Sequence, residues 1–362
     1  MRHIFIGFYG WPEQKLGQTE AVRVIAGDFE CWNLQHFSLE EFIAEIKERI
    51  PPFNDNMLRN YLWTEEAPDF GITEKQYKDC RWGLLLPNPV EYGEHSKEIT
   101  SLLSLYSPSF MRPAFYASDF GISVINAKSL GNWLHGQDRS ELFSSPNFVQ
   151  FFKTMLPALR YFNWLRDNVL VWTDEDWRLY MAASFYDDLE QYENSKKIYA
   201  WQRESADMAT ILEILFTAGD NDKEEVGYRL RKRASVLMGW RFPSIEKEIR
   251  DLYNDRSDLV HGSFYRKIVK GMRGNKNGDA AMPPPPDFHK LYETKERLRF
   301  LLVAYLRLNE VRLAKTDDVF VDFGSVQQIL EVAIIDTHLR EKVVETVRPI
   351  VELLPEAQNG LW

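Results

Sequence analysis

FPSIEKEIRDLYNDRSDLVHGSFY, residues 242–265, is the stretch that decides the fold of the C-terminal half, and it reads as one helix and its end. Pro243 and Ser244 supply a helix start. Ile245, Ile249, Leu252, Leu259 and Val260 recur at spacings that gather an apolar stripe on one face, and Gly262 supplies a stop. Arg256 and His261 are expected at the helix end rather than in the stripe. Five residues separate them, roughly 140° on an ideal helix, so they converge only if the histidine swings off the end. The C-terminal end of the helix dipole favours a protonated imidazole there, which suits a proton donor beside a phosphate.

An Arg-x4-6-His spacing is weak evidence by itself, and context carries the weight. The run upstream is MATILEILFTAGDNDKEEVGYRLRKRASVLMGW, residues 208–240. Within it stand Ile211-Leu-Glu213-Ile-Leu-Phe216 and Tyr228-Arg-Leu-x-x-Arg233-Ala234, followed by Leu252-Tyr253 through His261-Gly262. In order and interval these resemble the Apea-like branch of the HEPN superfamily, over residues 207–264. The resemblance implies an all-helical, HEPN-like bundle. Many members of that superfamily are metal-independent RNases that act as dimers through Arg-x4-6-His, so it also implies RNA as substrate, a homodimer with a composite cleft, and no metal or other cofactor. Other members are inactive or only bind nucleotides, which leaves a silent module for dimerisation or for nucleotide or RNA binding as the alternative. The resemblance to Apea-like proteins further implies a microbial defence or toxin-like effector.

The residues themselves suit cleavage in which the RNA's own 2′-hydroxyl attacks. His261 moves the proton, and Arg256, a permanently charged planar fork, stabilises charge developing on the phosphate. Ser257 and Asp258 flank the arginine. Asp258 is three residues before His261 and either fixes its tautomer across one turn or is an exposed neighbour without a role. Glu213 either orients an arginine through a salt bridge or satisfies a buried one, the structural role being favoured. Arg229, Arg231, Lys232 and Arg233 lie on a neighbouring helix, and Arg266, Lys267 and Lys270 just beyond the histidine. They either track RNA phosphates into the site or form a solvated face. Arg233, beside Ala234, is the one of the helix group expected to face the site.

Composition bounds these readings. The chain has 362 residues, 44% apolar and 27% charged, enough core material for two soluble domains. Its net charge of −10 is uneven: residues 1–145 carry 13 Lys+Arg against 20 Asp+Glu, leaving 31 against 34. An acidic chain has no general electrostatic blanket for RNA, so any contact needs a local basic patch. Two cysteines, Cys31 and Cys80, make no disulfide framework and fit a reducing cytoplasm. The opening MRHIFIGFYGW is too short an apolar run for a signal peptide or a membrane span and reads as a strand.

Residues 1–140 read as an α/β or α+β domain with a sensing or regulatory role, its trigger or inhibitor unidentified. Strands are expected over Arg2–Tyr9, Ala21–Ile25, Arg81–Leu86 and Phe110–Ile125. Helices are expected over Ser38–Ile50, where Ser38 and Glu41 form a capping box, and over Ser96–Tyr106. The boundary is placed at Gln137–Asn147, and residues 146–356 read as successive helices broken by a Gly-, Asn- and Pro-rich loop over 271–286. Asp-Phe-Gly occurs at Asp69, Asp119 and Asp322 without the other kinase motifs. Glu91, Glu94, His95 and Glu98 share a helical face, but Gly93 interrupts it, and the cluster reads as solvated surface rather than as a metal site.

Overall fold

A computed structural model describes residues 3–9, 23–50, 74–78, 80–87, 105–106, 113–118, 121–124, 148–192, 200–217, 225–260, 288–315 and 317–354. Helices dominate these residues, and the strands are confined to the N-terminal part. Contacts divide the chain into two compact units, Met1–Val169 with Leu353–Leu361, and Leu170–Glu352 with Trp362. None of the described helices is long and apolar enough to cross a membrane.

The first unit is built on a sheet of β1 (His3–Tyr9), β2 (Arg23–Ala26), β3 (Phe29–Asn33), β4 (Cys80–Pro87), β5 (Pro113–Ser118) and β6 (Gly121–Val124), in the order β2-β3-β4-β1-β5-β6. Every pairing is antiparallel, so the parallel α/β alternative gives way to an α+β arrangement. The strand expected over Phe110–Ile125 is two, β5 and β6, with Ser118 opposite Gly121. At the β2–β3 hairpin Gly27 takes φ 68°, a conformation open to glycine and strained for other residues.

Strand β3 escapes the sequence reading because all five of its residues are buried, which erases the alternation that marks a half-exposed strand. Its Glu30 is held by the Trp32 indole N–H at 3.0 Å and by Arg49 at 3.3 Å. Helix α1 (Leu39–Arg49) begins with the expected capping box. Glu41 N–H donates to Ser38 Oγ and Ser38 N–H donates to Glu41 Oε2. Phe42, Ile46 and Ile50 close over Phe5, Trp32 and Phe115 of the sheet, and Ile43 packs at the margin. A short helix α2 (Glu74–Lys78) adds Tyr77 to the same core. Of the helix expected at Ser96–Tyr106, residues 105 and 106 are helical and buried, and the rest lies outside the described residues.

Helix α3 (Phe148–Asp167) groups with this first unit, its Arg160 lying 3.5 Å from where a Cβ on Gly27 would stand. The division therefore falls at Val169, after α3, whereas the sequence boundary at Gln137–Asn147 lies outside the described residues.

The second unit consists of α4 (Asp174–Tyr192), α5 (Ala200–Phe216), α6 (Val226–Met238), α7 (Ile245–Val260), α8 (Phe288–Ala314), α9 (Val326–Ile335) and α10 (Thr337–Val351). Nine consecutive residues of α8, Leu298–Leu306, are buried. A helix buried all round over such a stretch is a central one, and α4, α5, α6, α9 and α10 all pack against it. Helix α4 starts at Thr173, whose N–H and hydroxyl both donate to Asp176 Oδ2 while Asp176 N–H donates back to the hydroxyl. Ser325 and Asp336 cap α9 and α10 in the same way, each accepting from a backbone N–H of the first turn.

Candidate functional site

Helix α7 carries the residue on which the sequence reading turns. Ser244 precedes it and its hydroxyl donates to Glu248 Oε1 at 2.5 Å, closing the first turn. Ile245, Ile249 and Leu252 are buried, and α7 packs most extensively against α5 and α6. At 100° per residue Arg256 falls within roughly 20° of Ile249 and 40° of Leu252 around the helix. It lies toward the C-terminal end of the helix on the side of that stripe, and keeps 29% of its side chain exposed.

That register explains what Arg256 reaches. Its Nη1 donates to Glu213 Oε1 on α5 at 2.6 Å, and its guanidinium carbon lies 5.9 Å from the ring of Tyr253, one turn back. The two side chains keep 29% and 23% of their surface exposed, so the pair stands at the rim of the helix packing. A pair so placed contributes about 1 kcal/mol or less to stability. Tyr253 lies along α6, its ring carbons at ordinary contact distance, 3.8–3.9 Å, from where a Cβ on Gly227 would stand.

Arg233 does not face the surface. Its side chain is 4% exposed, its Nε donates to Glu331 Oε2 of α9 at 2.8 Å, and its Nη1 makes a short hydrogen bond to the Phe216 carbonyl. Gln327 Nε2 donates to the Leu215 carbonyl at 2.8 Å, and the Thr217 N–H and hydroxyl both donate to the Glu213 carbonyl. The C-terminal turn of α5 has no following turn to bond its carbonyls, and these side chains take that place. Arg233 thus holds a helix end, a placement unlike the exposed RNA-phosphate contact expected for it.

The other basic residues of α6 have protein partners too. Arg229 Nε stands 3.7 Å from Glu225, Arg231 Nε donates to the Gly227 carbonyl, and Lys232 Nζ donates to both oxygens of Glu246 on α7. Tyr228 is 48% exposed, and Lys232 Nζ lies 5.8 Å from its ring. Ser257 and Asp258 belong to the last turn of α7, but their side chains are not described. His261, Arg266, Lys267 and Lys270 lie outside the described residues, as does the Glu91, Glu94, His95 and Glu98 cluster.

Sequence reasoning missed a second polar centre. Glu175, in the first turn of α4, is 3% exposed. Its Oε1 accepts from the Tyr305 hydroxyl at 2.9 Å and the Val326 N–H at 3.1 Å, and its Oε2 from Arg178 at 3.2 Å. Burial, and then the adjacent Glu175 charge, push the Tyr305 phenol well above the ordinary tyrosine value, so it stays a neutral donor. The available signal was a tyrosine inside the long apolar run of α8, a hydroxyl that requires a partner when buried. Comparison with protein-family models, with curated proteins and with solved structures finds no match.

Proposed function

We propose that the chain is a metal-independent endoribonuclease of HEPN type, cytoplasmic, and a defence or toxin-like effector. The observation that carries this reading is the Arg256–Glu213 ion pair. An arginine on the side of a buried stripe is held at its rim by a carboxylate from the neighbouring helix α5, as a guanidinium aimed at a phosphate has to be held. In this reading the substrate's 2′-hydroxyl attacks the adjacent phosphorus, the 5′-oxygen leaves, and the products end in a 2′,3′-cyclic phosphate and a 5′-hydroxyl. His261 moves the proton, and Arg256 stabilises the charge gathering on the phosphoryl oxygens.

End-group analysis of cleaved RNA tests it. Cutting should persist in EDTA, fail where the scissile nucleotide is 2′-deoxy, and vanish in His261→Ala. Chelator-sensitive cutting, or efficient cutting of the 2′-deoxy substrate, would sink the proposal. The same ion pair favours one other reading, a catalytically silent module, because Glu213 already neutralises the Arg256 charge.

The proposed enzyme works as a two-fold dimer through its helical unit, since one arginine and one histidine are a small apparatus for phosphodiester cleavage. The N-terminal unit restrains or triggers it. Mass measurement in solution at micromolar protein should return twice the chain mass, and a strict monomer that still cuts RNA would remove the composite site.

A further inference from the structure

A cavity of about 510 Å³ opens between the start of α4, the middle of α6 and the start of α9, a volume in the range of small-molecule sites. Every lining side chain among the described residues is polar or charged, Gly324 apart. We propose that it binds a small molecule bearing an anionic oxygen group, a carboxylate or a phosphate, which takes the place of Glu331 on Arg233.

Two guanidinium groups, those of Arg178 and Arg233, line the cavity, each holding a glutamate, and the two glutamates differ. Glu175 is 3% exposed and accepts from three donors, so it is fixed. The Glu331 side chain is 44% exposed while its partner Arg233 is 4% exposed. Water can take the acid back at little cost, whereas the buried arginine cannot be left without an anion. The group that replaces Glu331 must therefore be anionic. With Glu331 turned to solvent, Arg178 and Arg233 balance Asp174 and Glu175, so the incoming anion meets no net negative charge. The N-terminal end of α9 at Ser325 also favours it.

Occupancy would be felt elsewhere in the unit. Arg233 and Gln327 hold the carbonyls of Phe216 and Leu215, one turn or less from Glu213, which holds Arg256. A ligand that draws the Arg233 guanidinium toward itself loosens the end of α5 and the carboxylate on it. The consequence for cleavage rests on the nuclease reading, whereas binding and the loosening do not.

Calorimetric titration of the full chain with inorganic phosphate and, separately, with malonate tests the site. Saturable binding of at least one is expected, and which one binds identifies the anion's source. Glu331→Gln should bind about tenfold tighter, because the internal competitor has lost its charge. Arg256→Ala should not weaken binding, since it removes in advance a contact that occupancy loosens. Exchange of the Thr217 amide, bonded to the Glu213 carbonyl at 2.9 Å, should quicken on saturation in wild type. No saturable binding of either anion, equal affinity in wild type and Glu331→Gln, or loss of binding in Arg256→Ala would each overturn the site. An unchanged Thr217 exchange rate would overturn the coupling. None of these readouts requires RNA to be cut, so their failure is distinct from failure of the nuclease reading.

Discussion

Two arginine–glutamate pairs meet the same end of α5, and they are built in opposite senses. Arg256 and Glu213, 2.6 Å apart, share their exposure almost evenly, 29% and 23%. Arg233 and Glu331, 2.8 Å apart, divide it 4% to 44%. Ion-pair distance alone does not separate them. What differs is which partner water can reach, and that decides which group is able to change partners. At the rim the arginine can turn from its carboxylate to a ligand's phosphate. Inside, the arginine is committed and only the acid can leave. A family-like motif that contains both arginines does not reveal this, because it records identity and interval but not depth.

The largest effect expected from breaking the comparison is on activity at the rim. Arg256→Ala should lower kcat for RNA cleavage by about 10²–10³-fold, with a stability loss of about 1 kcal/mol or less. Arg256→Lys should recover little, since an ammonium cannot reproduce the planar fork. Single-turnover kinetics beside denaturant melts would separate the two effects. If Arg256→Ala kept near wild-type cleavage, the guanidinium would have no part in the chemistry.

The buried arginine should behave in the reverse way. Arg233→Ala leaves the Phe216 carbonyl and a half-exposed carboxylate without their donor, which should cost about 2–4 kcal/mol of unfolding stability. Specific activity, corrected for the folded fraction, should change far less than in Arg256→Ala. Equal stability in Arg233→Ala and wild type would mean that the end of α5 is held by Gln327 and Thr217 alone.

Much of the fold was legible because local rules acted alone. The Ser38–Glu41 box stands where the sequence placed it. Strand β3 was illegible because burial on both faces removes alternation, and the single strand expected at Phe110–Ile125 is two antiparallel ones, β5 and β6. At the candidate site Glu213 was legible as a salt-bridge partner, and its partner proved to be Arg256. Arg233 was misjudged because nothing in a run such as RLRKRA distinguishes a guanidinium that faces water from one that caps a neighbouring helix 17 residues back. The buried Glu175 centre was not legible for the same reason: its partners, Tyr305 and Val326, are 130 and 151 residues away.

The smallest effect tests whether Glu213 orients Arg256 or merely silences it. Glu213→Gln keeps an oxygen able to accept from the guanidinium and removes the negative charge. Stability should fall by about 0.5–1 kcal/mol, the loss of a rim ion pair. Apparent RNA affinity should rise a few-fold, because a phosphate no longer competes with a carboxylate. The slope of log affinity against log salt should steepen by at most about 1, as one further phosphate is neutralised. Cleavage should persist, since an amide oxygen orients the fork nearly as well. Glu213→Ala removes the acceptor altogether, and there cleavage should fall while RNA affinity still rises. If Glu213→Gln lost cleavage as completely as Arg256→Ala, the carboxylate's charge would itself be needed, and Glu213 would be part of the reacting machinery instead of a positioning residue behind it.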